Sequence, residues 1–197
     1  VTKKTVVEGA VFAPIQFYTP EEFVIFATLP ENTDKKFEYL RGVMWDVTSN
    51  QKTSNYAAVI MMSLGAFMGE RDLGDVTGGD GGYIIGDGYF VPDIAFISRQ
   101  RQSEPPDVTY NPLMPDFIVE VISPSDYQSP KTRIDDKLAT YRQAQIPLLW
   151  MVHPKHFAID VYEYGEFVRT AKMGDTLNGT GELTGWTIAV QRIFNKK

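Results

Sequence analysis

Met114-Pro-Asp-Phe-Ile-Val-Glu-Val-Ile-Ser-Pro-Ser-Asp126 is the stretch whose reading decides the fold. It reads as a buried β-strand. With a side-chain period of two, Asp116, Ile118, Glu120 and Ile122 point one way, and Phe117, Val119 and Val121 the other. A carboxylate at Glu120, flanked by Ile118 and Ile122, is costly to bury unless a partner compensates its charge. A cation is one such partner, and the flanking sequence can be searched for what would hold one.

Upstream, Phe90 to Ser98 predicts a second strand carrying Pro92-Asp93. Asp93 shares a face with Val91, Ala95 and Ile97, so it too is an acid in an apolar setting. If the two strands are neighbours, Asp93 and Glu120 converge. Two ionised carboxylates in a poorly hydrated cleft repel, and a divalent cation relieves that repulsion. All-oxygen ligation suits Mg²⁺ or Mn²⁺, ions that activate water and stabilise phosphoryl transfer. Asp116 lies on the Glu120 face at the strand start, as an edge residue or a further ligand.

Downstream, Ser129-Pro130 opens a helix running to about Ala144, with Ile134, Leu138 and Tyr141 as its buried stripe. Lys137 is three residues from Ile134 and four from Tyr141, on the edge of that face. From spacing alone it either forms a structural ion pair or reaches a carboxylate and positions a water. Lys131, Arg133 and Arg142 on the same helix, with Arg99 and Arg101 after the Asp93 strand, face either phosphates or solvent.

The other elements build an α/β chain. Thr19-Pro20-Glu21-Glu22 is a capping box, predicting a helix to about Leu29. Phe37 to Val47, which contains Glu38, predicts a strand or a hairpin through Arg41-Gly42. Thr53 or Ser54 caps a long helix with Gly74 as its stop. Seven Gly and three Asp between residues 74 and 90 predict tight hairpins, since neither Gly-Lys-Ser/Thr nor a helix follows to cradle phosphate. Strands follow over 148–152, 158–164, 166–171 and 186–190. The order of elements predicts a mixed β-sheet flanked by helices.

At 197 residues the chain fits one domain, over 19–197, that buries roughly 70% of its unfolded surface. Residues 1–18 form an extended arm, either a surface strand or frayed end, or a segment exchanged with a partner subunit. The net charge of −6 gives no global basic signature, although a local basic cleft can coexist with it. Absence of cysteine excludes disulfides, thiolate catalysis and Cys-ligated metals. No apolar run approaches the roughly 18 residues that span a bilayer. Glu8, Pro14 and Gln16 interrupt the N-terminal apolar stretch, so a cytoplasmic protein with no membrane partner is expected. His153 and His156 bracket a proline rather than one helix turn, and Ser123 and Ser125 lack a Gly-x-Ser-x-Gly elbow.

Pro92-Asp93 followed by Glu120-Val121-Ile122 resembles the PD-(D/E)xK nuclease pattern. More specifically, Tyr18-Thr-Pro-Glu-Glu-Phe23, Phe37-Glu-Tyr-Leu-Arg-Gly42, Val91-Pro-Asp-Ile-Ala-Phe96, Pro115–Ser125, Lys137-Leu-Ala-Thr-Tyr141 and Trp150-Met-Val-His-Pro154 together resemble the Uma-type (Uma-two) restriction endonuclease family. The resemblance implies a restriction-endonuclease-like fold. It implies Asp93 and Glu120 as metal ligands beside the Val121 carbonyl, with Mg²⁺ or Mn²⁺ as cofactor. Glu38 matches the acidic residue of the family's first motif, where a bystander surface role is an equal alternative. The lysine usual two residues beyond the glutamate is replaced by Ile122; Lys137 matches a lysine displaced to the following helix. His153 stands where many relatives carry aspartate. The implied activity is metal-dependent DNA endonuclease, acting as a homodimer because double-strand cutting needs two symmetric sites. The rival is an inactive nuclease-fold module for binding or assembly, in which the acids merely pair with Lys137 or arginines.

Overall fold

The computed structural model describes residues 18–194 except 33, 48–49, 70 and 124–132. The N-terminal arm therefore lies outside the described residues, apart from Tyr18.

Helix α1 (Pro20–Ala27) starts where the sequence predicts. The Thr19 side chain accepts from the Glu22 N–H, Glu22 returns the bond to the Thr19 N–H, and Pro20 needs no donor partner in the first turn. Strands β1 (Phe37–Leu40) and β2 (Val43–Asp46) form the expected hairpin through Arg41-Gly42, where both residues have positive φ. Helix α2 (Gln51–Met68) begins earlier than expected, because Asn50 rather than Thr53 or Ser54 is its cap and accepts from the Lys52 and Thr53 N–H groups. It stops at Gly69, not Gly74. Gly74 instead opens β3 (Gly74–Gly78), where a Cβ would stand 2.1 Å from the Ile97 carbonyl oxygen.

The Gly-rich region holds one hairpin, β4 (Gly82–Ile85) with β5 (Gly88–Phe90), while β3 leaves it to pair elsewhere. The strand expected over Phe90 to Ser98 is broken at Val91-Pro-Asp93, and β6 runs only over Ile94–Ser98. Proline at 92 cannot donate to a ladder, which frees the backbone to change sheets there. A short β7 (Tyr110–Asn111) precedes β8 (Phe117–Val121), the opening stretch. Helix α3 is described over Arg133–Gln143. It is followed by β9 (Leu148–His153), β10 (Ala158–Glu163), β11 (Glu166–Ala171), β12 (Thr176–Asn178), β13 (Thr187–Ala189) and α4 (Val190–Ile193).

The strands form more than one sheet. The mixed sheet has order β11-β10-β9-β8-β6-β3, and only β8 and β9 run parallel. A second sheet has order β2-β1-β5-β4-β7, so the Glu38 strand is not in the same sheet as Glu120. One face of the mixed sheet (Phe96, Phe117, Val119, Trp150, Ile159) packs on α2 and α4. Its other face (Ala95, Ile118, Ile122, Leu149, Met151) meets Tyr141 of α3 and Leu40, Tyr83 and Phe90 of the second sheet. Helix α1 covers the far side of that sheet through Phe23 against Tyr39 and Tyr110. The acids on Glu120's face therefore point into the layer between the two sheets.

Candidate active site

The antiparallel register of β6 with β8 pairs Ile94 with Val119, Ala95 with Ile118 and Phe96 with Phe117. Asp93 stands one residue before this ladder, where the chain leaves the sheet. Its Oδ2 accepts the Val121 N–H at 2.7 Å, a bond that ties the end of β8 to the break before β6. Asp93 and Glu120 thereby line one cavity.

Glu38 and Lys137 arrive from different elements. On β1, Glu38 and Leu40 face the inter-sheet layer, while Phe37 and Tyr39 face α1. Lys137 lies one turn before Tyr141 on α3 and is 6% exposed, so it does not snorkel to solvent. Its ammonium sits 2.7 Å from Glu38 Oε1 and 2.7 Å from Glu120 Oε1, bridging the two sheets. The Tyr141 hydroxyl donates to the same Glu120 oxygen at 2.9 Å. Glu38 is saturated: Oε1 also accepts the Val91 N–H at 2.8 Å, and Oε2 accepts the Trp45 indole N–H at 3.0 Å. Glu38 is thus an anchor for Lys137 rather than a surface bystander.

Glu120 is different. Its Oε1 takes two donors, whereas Oε2 takes none among the described residues, and the side chain lines a cavity. Burial pushes the Glu120 carboxyl up, to about 8; Lys137 pulls against this, while Asp93 and Glu38 push with it. Burial also disfavours the Lys137 ammonium, but Glu120 and Glu38 more than offset it, so Lys137 is held above the ordinary lysine range. Tyr141 is raised by burial and by Glu120, which keeps its proton available for donation. The group therefore carries more negative charge than one lysine neutralises.

The cavity measures about 90 Å³, with Asp46, Asp93, Glu120, Arg133 and Lys137 on its walls. That is room for roughly three waters. A larger cavity of about 620 Å³ lies around Tyr83, Val108 and Tyr110, but it contains none of the four predicted site residues. Of its charged walls, Lys36 pairs with Asp80 and Asp75 with Arg99, while Lys35 donates to the Asn32 side chain. The smaller cavity is the one with chemistry.

Among the described residues no group of three or more His, Cys, Asp or Glu side chains is arranged to enclose a metal. Glu120, with an oxygen that takes no donor among the described residues, and Asp93 on the same cavity wall would suit Mg²⁺. That ion keeps several waters and takes one or two carboxylates plus substrate phosphate, rather than an all-protein cage. Asp93, Glu120 and the Val121 backbone are thus the residues able to hold it.

The other charged residues singled out in the sequence are engaged elsewhere. Asp116 accepts the Ser98 N–H and pairs with Arg101 at 2.7 Å, which makes it an edge clamp. Arg99 pairs with Asp72 and Asp75. Arg142 donates to the Gly165 carbonyl, and His153 lies 3.0 Å from Asp160. Lys131 lies outside the described residues. Sequence reasoning missed Trp45 and Tyr141 as site residues, and left Arg133 open between phosphate and solvent; the structure sets it on the cavity wall. The stripe spacing of α3 placed Tyr141 in the core, and only its i+4 offset from Lys137 hinted at a shared target. Nothing in the sequence pointed to Trp45, whose link to Glu38 is a cross-strand register pair.

No helix among the described residues is long and apolar enough to cross a membrane. No curated protein matches the chain at a significant level. Among solved structures, the chain is similar to one titled "a putative nuclease belonging to DUF820" from Anabaena variabilis. The TM-score is 0.72 at 18% identity, covering 89% of this chain and 96% of that one. The two share a fold. Residues 20–191 match the sequence model of Uma2, described as "Putative restriction endonuclease". That match spans the whole arrangement from the α1 cap to α4, and the chain belongs to the Uma2 family.

Proposed function

We propose that the chain is a Mg²⁺-dependent endonuclease that hydrolyses DNA phosphodiester bonds, with Mn²⁺ able to substitute. The observation that carries this reading is the buried Lys137, held by two carboxylates 2.7 Å away on the wall of a cavity that also receives Asp93. A structural ion pair needs one acid; here Glu38 and Glu120 both hold one lysine and Asp93 lines the same cavity, a concentration of acid that a further cation would relieve.

Glu120 Oε2 and Asp93 would hold the ion beside the Val121 backbone. A divalent cation there supplies Lewis-acid stabilisation of a phosphoryl group and a more acidic water. Lys137 stays an ammonium at neutral pH, so it is no general base. Two of its three donors are taken by Glu38 and Glu120, which leaves the third for the phosphoryl oxygens or the attacking water. Glu38 fixes the reach of Lys137, and Tyr141 holds Glu120 by Oε1 on the cavity wall, so that Oε2 would be the oxygen offered to the ion. Ile122, in the place where a lysine is usual, packs in the core at 6% exposure, so the ammonium comes from α3. We further place the protein in the cytoplasm as a homodimer, whose two symmetric sites would each take one strand.

The test compares wild type, Asp93→Ala and Glu120→Ala on plasmid and single-stranded DNA with Mg²⁺ or Mn²⁺. Wild type is expected to cut, and both variants are expected to lose at least about 100-fold in rate. Unchanged cutting in either variant would remove that residue from the site. No cutting by wild type, together with no calorimetric Mg²⁺ binding, would favour an inactive binding or assembly module.

A further inference from the structure

We propose that Trp45 and Arg133 form a subsite for one unpaired nucleobase and its neighbouring phosphate at the mouth of the Asp93–Glu120 cavity. The preferred substrate is then an unpaired DNA strand rather than an intact duplex. The inference rests on the nuclease reading above and extends it to the class of substrate.

Trp45 sits on β2, the edge strand of the second sheet, directly opposite Glu38 in the β1–β2 register. Its indole N–H donates to Glu38 Oε2, so the ring is held in place by the same carboxylate that anchors Lys137. Yet the ring is only half-buried and lines the cavity. The other two tryptophans, Trp150 and Trp186, are fully enclosed in the α2 core and stack on one another. A large aromatic left partly in solvent, with its plane fixed from behind, is a stacking surface with little rotamer entropy to lose.

Arg133 stands at the described start of α3, exposed, with its guanidinium 5.5 Å from the Trp45 ring centroid. No carboxylate pairs with it among the described residues. This sets it apart from Arg99, Arg101 and Arg142, which are tied to Asp72 and Asp75, Asp116, and the Gly165 carbonyl. Among the described residues, Arg133 and Lys137 are the cations on the cavity wall. An arginine over an indole presents a cation–π surface to a base and a donor fork to a phosphate.

Two magnitudes favour an unpaired strand. The cavity of about 90 Å³ leaves the catalytic layer room for a few waters, so the base must lie outside it, against Trp45 and Arg133. Inside a duplex both faces of a base are already stacked, and only an unpaired base has a π-face to offer. The chain's net charge is −6, and its cavity wall offers a single unpaired cation. Among the described residues the cavity wall offers few phosphate contacts, so stacking supplies what counterion release does not.

Trp45 reports its own occupancy. With Ca²⁺ present to neutralise the carboxylates, tryptophan emission of the full chain is titrated with a short mixed-sequence strand and with the same strand annealed to its complement. Saturable quenching is expected with the strand, at an affinity at least about 10-fold above that for the duplex. The quench is expected to disappear in Trp45→Phe. In Arg133→Gln, an exposed site where folding is not at issue, strand affinity falls severalfold and the salt slope drops by about 0.7, the share of one single-strand phosphate contact.

Equal affinity for strand and duplex overturns the proposal, as does quenching that survives in Trp45→Phe or an Arg133→Gln salt slope equal to wild type. Cleavage is scored separately with Mg²⁺. A wild type that shows the quench but cuts nothing keeps the subsite and removes the nuclease reading. A wild type that cuts while strand and duplex bind alike does the reverse.

Discussion

Replacing Lys137 with methionine keeps the side chain's length and removes its charge, which makes it the sharpest probe of the inter-sheet layer. The ammonium makes two 2.7 Å contacts, to Glu38 and Glu120, at 6% exposure. At an effective dielectric of about 20, each contact is worth roughly 6 kcal/mol of Coulomb attraction. Desolvating the ammonium returns several kcal/mol of that total, and losing one member of a buried pair costs about 3–5 kcal/mol net. The loss depends on pH, because the Glu120 carboxyl left behind, already raised by burial, can take up a proton. The cost should stand at about 3–5 kcal/mol near pH 8 and fall by roughly half near pH 5. Urea unfolding followed by circular dichroism reads it: with a slope of about 2 kcal/mol per molar, the midpoint drops by about 1.5–2.5 M near pH 8. Adding Glu38→Gln to Lys137→Met should cost less than the sum of the two single changes, since they remove one interaction. A midpoint shift under about 0.5 M near pH 8, or the same shift at both pH values, would refute the reasoning. Lys137 would then be pointing at solvent.

Glu120 sets a second pH effect. Its folded carboxyl is raised by burial to about 8, from 4.5. Between those values the folded state holds a proton that the unfolded state has lost, so this contribution is complete below about pH 4.5 and disappears as pH rises through about 8. Stability of the metal-free protein should fall across that window, by no more than about 5 kcal/mol, and Glu120→Gln should flatten the curve; a rise with pH in wild type would contradict this. Glycines in two settings should respond oppositely. Gly65→Ala, in the last turn of α2 with open space around its Cβ, should stabilise by up to about 0.5–1 kcal/mol. Gly74→Ala has φ +145 and a Cβ 2.1 Å from the Ile97 oxygen, and should cost at least about 2 kcal/mol by the same urea assay.

Much of the site was legible in residues 114–126 and their neighbours because a misplaced charge is a strong local signal. Glu120 among isoleucines and Asp93 among Val91, Ala95 and Ile97 both broke an apolar alternation, and period two fixed their faces. Lys137 was legible as a position but not as a role. Its spacing from Ile134 and Tyr141 put it at the edge of a buried stripe, and an edge lysine can turn either way. Element ends were read less well: proline at 92 was read as part of a strand, though it is where the chain leaves one sheet for the other. Gly74 was read as a helix stop because glycine serves helix ends and tight strand contacts equally well.

The sequence by itself determined which elements form and which face each acid takes, since periodicity and capping are local and are written within a few residues. Only the tertiary structure decided the neighbours. That Asp93 and Glu120 line one cavity is a property of two paired strands and of the break before one of them. The bond from Lys137 to Glu38 spans 99 residues and two sheets. Trp45 joined the site through a hairpin register, Tyr141 through a hydroxyl aimed at Glu120, and Arg133 by standing over that indole. Burial, charge and pKa are made by whatever packs alongside, and no local pattern carries that.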